Sequence, residues 1–151
     1  MASIHFKFVT PERTLFDGQA DSITCFTKQG QITVLPHHAP LVAELVPGEI
    51  VVTHKNDTQL LHVGGGFLQI QPDSQVIALA DSAERIVEID PARAEQAVQK
   101  AQETLAKAAS LSEQEYATTA ALLERNLSRV RIARKHSRRH MGIANEALFV
   151  E

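Results

Sequence analysis

Glu88-Ile89-Asp90-Pro91-Ala92-Arg93-Ala94-Glu95-Gln96-Ala97-Val98 is the stretch at which this chain of 151 residues changes character. All six prolines and six of the seven glycines lie at or before Pro91, and the next fifty residues contain neither. Proline and glycine punctuate strands and turns, whereas a long stretch without them, rich in Ala, Leu, Glu, Gln, Lys and Arg, favours helix. Asp90 is a good N-cap and Pro91 suits the first helical position. The chain therefore reads as a strand-rich domain, 1–88, a helical hairpin, 89–140, and a frayed tail, 141–151.

Upstream of this junction, apolar residues come in short alternating or continuous runs. They are Ile4, Phe6 and Phe8; Ile23 with Cys25; Ile32 with Val34; Ile50 to Val52; Leu60 to Val63; Phe67 to Ile70; and Val76 to Leu79. Turn signals at Phe16-Asp17-Gly18, Gln29-Gly30, Pro47-Gly48, Lys55-Asn56-Asp57 and Gln71-Pro72-Asp73 separate them. Short strands at this spacing, each with one strongly apolar face, predict a β-sandwich or barrel. Downstream the period becomes about 3.6. Ala94, Ala97, Val98, Ala101, Leu105 and Ala108 form one stripe, and Tyr116, Ala120, Leu123, Leu127 and Val130 form another. Ser112 and Glu115 have capping-box spacing, so a link at 110–112 closes an antiparallel two-helix hairpin. Its first helix offers mainly alanines, which bury little area, so the hairpin is expected to be held loosely.

The net charge of −3 hides an asymmetry. Residues 1–88 carry 5 basic and 10 acidic side chains, and residues 89–151 carry 10 basic and 8 acidic. Cys25 is alone, which excludes an internal disulfide, and its strand context predicts a buried or half-buried thiol. The N-terminus lacks the order of a signal peptide, and no apolar run approaches the roughly 20 residues of a membrane helix. No recognised order of nucleophile, base and acid is present, so no covalent or acid–base catalysis is expected. Adjacent histidines at 37 and 38 would point to opposite sides of an extended segment, with no Asp, Glu or Cys cluster nearby in sequence, so no metal is expected. Gly64-Gly65-Gly66 lacks the Lys-Ser or Lys-Thr and the helix of a phosphate loop, and reads as a bulge or close backbone approach.

Arg125, Arg129, Arg131, Arg134, Lys135, Arg138 and Arg139 form a basic run with no acid among them. A nucleic-acid adaptor on a β scaffold is one reading of such a run, although it contains no aromatic residue and the rest of the chain is acidic. A small nucleotide hydrolase is a second. A turn near residues 110 and 111 would set Arg93 level with about residue 128 and Arg125 level with about residue 96. Arg93, Lys100, Arg125 and Arg129 would then cluster over about two helical turns, a spacing that suits a triphosphate. A solvated basic face, or contacts to the acidic strand-rich half, would explain the same residues.

The order of these pieces resembles the epsilon-subunit family of the F-type ATP synthase. It comprises a strand-rich half, Gly30 before a strand, His38-Ala39-Pro40-Leu41, Pro47-Gly48, a glycine run before Phe67, Ala80-Asp81, and then a helical hairpin. The resemblance covers nearly the whole chain. It implies a noncatalytic central-stalk subunit whose sandwich of about ten strands seats on the gamma subunit and the c ring. Gln31 and His38 would lie at that rotor interface, although Gly30-Gln31-Ile32-Thr33 lacks the acidic residue often found there. The resemblance also implies a mobile hairpin that inhibits ATP hydrolysis. Its basic helix (Arg131, Arg134, Lys135, Arg138, Arg139) would meet the alpha and beta subunits in the inhibited state. Ile89-Asp90-Pro91-Ala92-Arg93-Ala94 matches the Ile/Leu-Asp-x-x-Arg-Ala motif of family members that bind ATP on this subunit. The implied ligands are Glu84, Ile89, Asp90, Arg93, Ala94, Lys100, Arg125 and Arg129, with ATP regulatory and no cofactor required. The implied location is peripheral, through the complex, on the cytoplasmic face of a bacterial inner membrane or the stromal face of a thylakoid.

Overall fold

The computed structural model describes residues 2–148, with side chains through Ser137. The backbone forms two compact units, Met1–Arg85 and Ile86–Glu151, so the first ends three residues before the expected boundary at 88. In the first unit, ten strands follow one another: β1 (Ile4–Val9), β2 (Thr14–Ala20), β3 (Ser22–Thr27), β4 (Gly30–Val34), β5 (Leu41–Leu45), β6 (Gly48–His54), β7 (Asp57–Val63), β8 (Gly66–Gln71), β9 (Gln75–Ala80) and β10 (Ala83–Arg85). Hydrogen bonds link them in the order β10-β7-β6-β3-β5-β8-β9-β1-β2, with β4 attached to β3 off that path.

The expected alternation is the basis of this sandwich. Ile4, Phe6 and Phe8 of β1 are fully buried, as are Ile23 and Cys25 of β3, Ile50 of β6, Leu61 of β7, Leu68 of β8 and Ala78 of β9. Together they make one core, in which the Phe6 ring lies 6.0 Å from Phe8 and 5.6 Å from Phe16. Burying each large side chain contributes about 1.5–3 kcal/mol, so this unit carries most of the hydrophobic stabilisation. β1 pairs antiparallel with β2 and parallel with β9, a contact between the two ends of the domain's sequence.

Two strand features depart from the sequence reading. Phe16-Asp17-Gly18 is not a turn; it lies inside β2, with Asp17 opposite Lys7 and Gly18 opposite Phe6. Asp17 faces outward there and pairs with His5 at 2.8 Å, while the chain reverses at Thr10–Arg13 instead. β5 arises from Leu41–Leu45, a segment absent from the strands that the apolar runs predict. The glycine run behaves as a close approach: Gly65 and Gly66 have φ of 120° and 146°, and a Cβ on Gly66 would lie 2.1 Å from the Leu79 carbonyl oxygen.

In the second unit a short 3-10 turn (Ile86–Glu88) precedes α1 (Pro91–Ala106), and a second (Ala108–Ser110) leads into α2 (Glu113–Leu148). Asp90 caps α1 by accepting from the amides of Ala92 at 3.0 Å and Arg93 at 3.5 Å. The capping box of α2 is complete: Ser112 Oγ accepts from the Glu115 amide at 3.1 Å, and Glu115 Oε2 accepts from the Ser112 amide at 2.9 Å. α1 ends before Ala108, because the Lys107 amide turns back to the Thr104 carbonyl in 3-10 fashion. The region from Gly142 is not a frayed tail as far as residue 148, since α2 runs on through Leu148. A single glycine costs a helix about 1 kcal/mol, which good helix formers on either side can offset. Residues 149–151 lie outside the described residues.

Two outcomes follow. Gly66→Ala forces the β8 and β9 backbones apart and is expected to cost about 2–4 kcal/mol, read by chemical denaturation of the whole chain. Burial pushes the Cys25 thiol up to about 11 from its ordinary 9.0. Folded protein at pH 8 should therefore fail to react with a thiol reagent that labels the unfolded chain promptly.

Candidate interaction surfaces

The first surface is the loop between β4 and β5. The His38 amide donates to the Leu35 carbonyl at 3.2 Å, closing a turn with Pro36 second and His37, at φ 65°, third. That is the pattern of a type II turn, whose third place usually takes glycine. The half-buried His38 places Nδ1 2.7 Å from the Ala39 carbonyl oxygen. A carbonyl can only accept, so Nδ1 is the donor in this contact and Nε2 is left to face outward partners. Leu35 and Leu41, on either side, are exposed, and Gln31 is exposed on β4 opposite Phe26. Among the described residues, no three His, Cys, Asp or Glu side chains gather as a metal site.

A second surface was missed in the sequence. On the outer face of the sandwich, Phe67 of β8 sits directly across from Leu79 of β9; on the adjoining β5, Glu44 faces Phe67 and Val42 lies diagonal to it, opposite Gln69. Val42 is 66 % exposed, and Phe67 and Leu79 are 54 % each. Contiguous exposed apolar side chains mark interaction sites more often than single ones do. The available signal was phase: in the runs Phe67 to Ile70 and Val76 to Leu79, Phe67 and Leu79 occupy the outward positions, where polar residues are the norm.

The third surface lies on the helices. Glu95 of α1 forms a salt bridge with Arg134 of α2. The sequence reading would have set Glu95 level with about residue 126, eight positions short of Arg134. The link from Lys107 to Ser112 is centred near the expected turn, so the offset belongs to the side chains rather than to the link. Side chains on antiparallel helices also lean in opposite directions, which lets Arg134 reach back to Glu95. Successive helical residues turn by about 100°, which puts Arg93 and Lys100 on the flank of α1 away from Glu95. By the same rotation, Arg125 and Arg129 lie on the side of α2 away from Arg134.

The basic run therefore divides. Arg125 and Arg129 are half-buried within an arc that includes Asn126, Ser128, Ile132 and Ala133, whereas Arg131, Arg134 and Lys135 are exposed beside Leu127. Of the expected stripe, Val130 is buried and Ala120 and Leu123 are half-buried, but Tyr116 and Leu127 are outward, and Asn126, 3 % exposed, takes an inward place. Its Nδ2 donates to the Leu122 carbonyl at 2.9 Å, and its Oδ1 accepts from Arg129 Nη1 at 2.9 Å, which orients that guanidinium. The side chains of Arg138 and Arg139 lie outside the described residues.

Of the other expected ATP ligands, Ile89 and Ala94 are buried and Asp90 is engaged as the α1 cap. Glu84 belongs to the other unit, on β10, where it stands opposite His62 of β7 with 3.9 Å between Oε1 and Nδ1. His62 is itself buried, and Glu49 occupies the facing position on β6. This row of carboxylate, imidazole and carboxylate across three strands had no signal in the sequence, since it depends on register alone.

Residues 3–86 match the model of the ATP synthase delta/epsilon chain β-sandwich domain, and residues 88–134 match that of its long α-helix domain. The chain belongs to the ATP synthase delta/epsilon chain family. Within it the chain is an epsilon subunit. The ATP synthase epsilon chain of Acidithiobacillus ferridurans is 38 % identical over 133 residues, covering 88 % of this chain and 92 % of its own length. That of Dehalococcoides mccartyi (strain BAV1) is 39 % identical over 140 residues, covering 93 % and 98 %. A chain in the cryo-EM structure of the Euglena gracilis mitochondrial ATP synthase, OSCP/F1/c-ring in rotational state 1, has a TM-score of 0.71. It is 23 % identical and covers 85 % of this chain and 79 % of its own, which shows a shared fold. No described helix of this epsilon subunit is long and apolar enough to cross a membrane.

Because the Glu95–Arg134 pair is half-exposed, its coupling should be small. A double-mutant cycle through Glu95→Gln and Arg134→Gln, read from thermal unfolding of the helices, is expected to give about 0.3–1 kcal/mol and to shrink in molar salt. A coupling of zero at low salt would show that the pair does not fix the hairpin register.

Proposed function

We propose that this epsilon subunit is a noncatalytic rotor component of the central stalk, whose hairpin restrains ATP hydrolysis. The sandwich would couple the gamma subunit to the c ring, with the Leu35–Leu41 loop and Gln31 at the rotor and the Val42, Phe67 and Leu79 stripe available to a partner. The relatives' names and the shared fold support this reading. The subunit would then sit peripherally, through the complex, at the cytoplasmic face of a bacterial inner membrane.

The observation that carries the regulatory half is the division of cations on α2. Arg131, Arg134 and Lys135 lie on an exposed face that suits acidic surfaces of the alpha and beta subunits. Arg125 and Arg129 lie on the opposite, half-buried face of α2. The Ile89–Ala94 motif, with Arg93, Lys100, Arg125 and Arg129 as the cations nearest to it in kind, supports the triphosphate of ATP as a regulatory ligand of the helices. Lys100 supplies charge without the planar fork of arginine, so ATP binding would be weakened relative to an arginine at that position. The Glu84 and His62 pairing would have to yield for Glu84 to serve as a ligand. A ligand shifts a conformational equilibrium only through differential affinity. ATP held between α1 and α2 would favour the compact hairpin and so oppose inhibition.

The test is ATP hydrolysis by a catalytic head lacking this subunit, after adding back the whole chain or a version ending at Glu88. The whole chain alone is expected to inhibit, with inhibition relieved as ATP rises into the millimolar range and weakened by salt. Equal behaviour of the two versions would remove the regulatory role and leave a structural coupler.

A further inference from the structure

Three of the four non-glycine residues with positive φ among the described residues gather at one place: His37 (65°), Asp73 (62°) and Ser74 (57°). Residues that carry a Cβ avoid this region, and such strain persists where the surroundings over-determine it, often at functional sites. Asp73 and Ser74 belong to the reversal between β8 and β9, where Gln71 pairs with Gln75. Glycine at 74 would satisfy that backbone without strain. The serine supplies what glycine lacks. Its Oγ accepts the His37 amide at 2.9 Å, and its carbonyl accepts the His5 amide at 2.9 Å. The residue is 9 % exposed, so neither bond is readily replaced by water.

Ser74 thus ties together the start of β1, the reversal after β8 and the type II turn that presents His38. Pro36 and Pro40 stiffen the two ends of that loop, but its middle belongs to neither strand. The His37 amide is the point at which the rest of the sandwich holds it. Releasing that amide would let His37 return to negative φ, and the following residue would swing with the peptide plane.

We infer that Ser74 is a positioning residue for the rotor-facing loop: its hydroxyl holds His37 in the left-handed conformation that sets where His38 and its flanking leucines meet their partner. This rests on the rotor reading of the same loop. It adds to it a residue 36 positions beyond His38 in sequence, in the reversal between β8 and β9.

Ser74→Gly separates positioning from stability, because it removes the hydroxyl while relieving the strain. Its melting temperature is expected to stay within a few degrees of the wild type, because relief of the strain offsets the lost hydrogen bond. Hydrogen exchange of the His37 amide should accelerate, and affinity for a gamma–c-ring assembly stripped of this subunit should fall about three- to tenfold. Ser74→Asn tolerates the left-handed region and restores a side-chain acceptor, so it should recover most of that affinity. Binding of Ser74→Gly within about twofold of the wild type, or unchanged exchange at His37, would overturn the inference. If Ser74→Gly melts far below the wild type, Ser74→Ala carries the binding comparison with the same threshold. Failure of the wild-type chain to bind the assembly would overturn the rotor reading instead, and the positioning role with it.

Discussion

The pairing of β1 between β2 and β9 is the constraint on which the sandwich depends. It brings the first strand of the chain beside the ninth in parallel register, Phe6 opposite Val76 and Phe8 opposite Ala78. Those phenylalanines can then be buried from both sides. Without this non-local contact the hydrogen-bonded path would break between β9 and β1, leaving two unpaired edges and an open apolar face. The glycines at 65 and 66 serve the same closure, since the backbone of β8 must come within contact of the Leu79 and Ala80 main chain.

The helical unit is built on another scale. Its α1 buries only Ala94 and Ala101 completely enough to count as core, and α2 turns Asn126 and Ser128 inward beside Val130, Ile132 and Ala133. Small and polar side chains bury little apolar area, so capping, 3-10 turns and polar contacts such as Glu95–Arg134 do a larger share of the ordering here. An element stabilised this way is suited to changing conformation, whereas the sandwich is suited to staying rigid. The separation of the α2 cations onto two faces gives the same helix an exposed basic surface and a half-buried one. A single basic run in the sequence therefore becomes two surfaces of different burial in the fold.

Much of this architecture is legible in the order of the residues. The loss of glycine and proline after Pro91 marks the change from sheet to helix because those residues alone restrict or free the backbone enough to punctuate it. The Asp90 and Ser112 caps are readable because capping depends on neighbours within three residues. Strands with clean alternation, such as Ile4-His5-Phe6-Lys7-Phe8, declare both their type and their inward face. The Asp17-Gly18 pair misleads because a dipeptide that favours turns can also lie in a strand when its carboxylate finds a partner, here His5, across the ladder.

What the sequence by itself determined was local: the two secondary-structure periods, the junction, the caps, and the residue types available for an interface. What only the tertiary structure decided was register. Whether Leu127 or Asn126 faces inward depends on how α2 is rotated, and the partner of Glu95 depends on how the two helices are aligned and which way their side chains lean. The row of Glu49, His62 and Glu84 exists because three strands align, and the tie from Ser74 to His37 exists because two distant turns meet at one end of the sandwich. Each is set by packing between segments far apart in the chain, and a one-residue slip would exchange the faces without altering any local propensity.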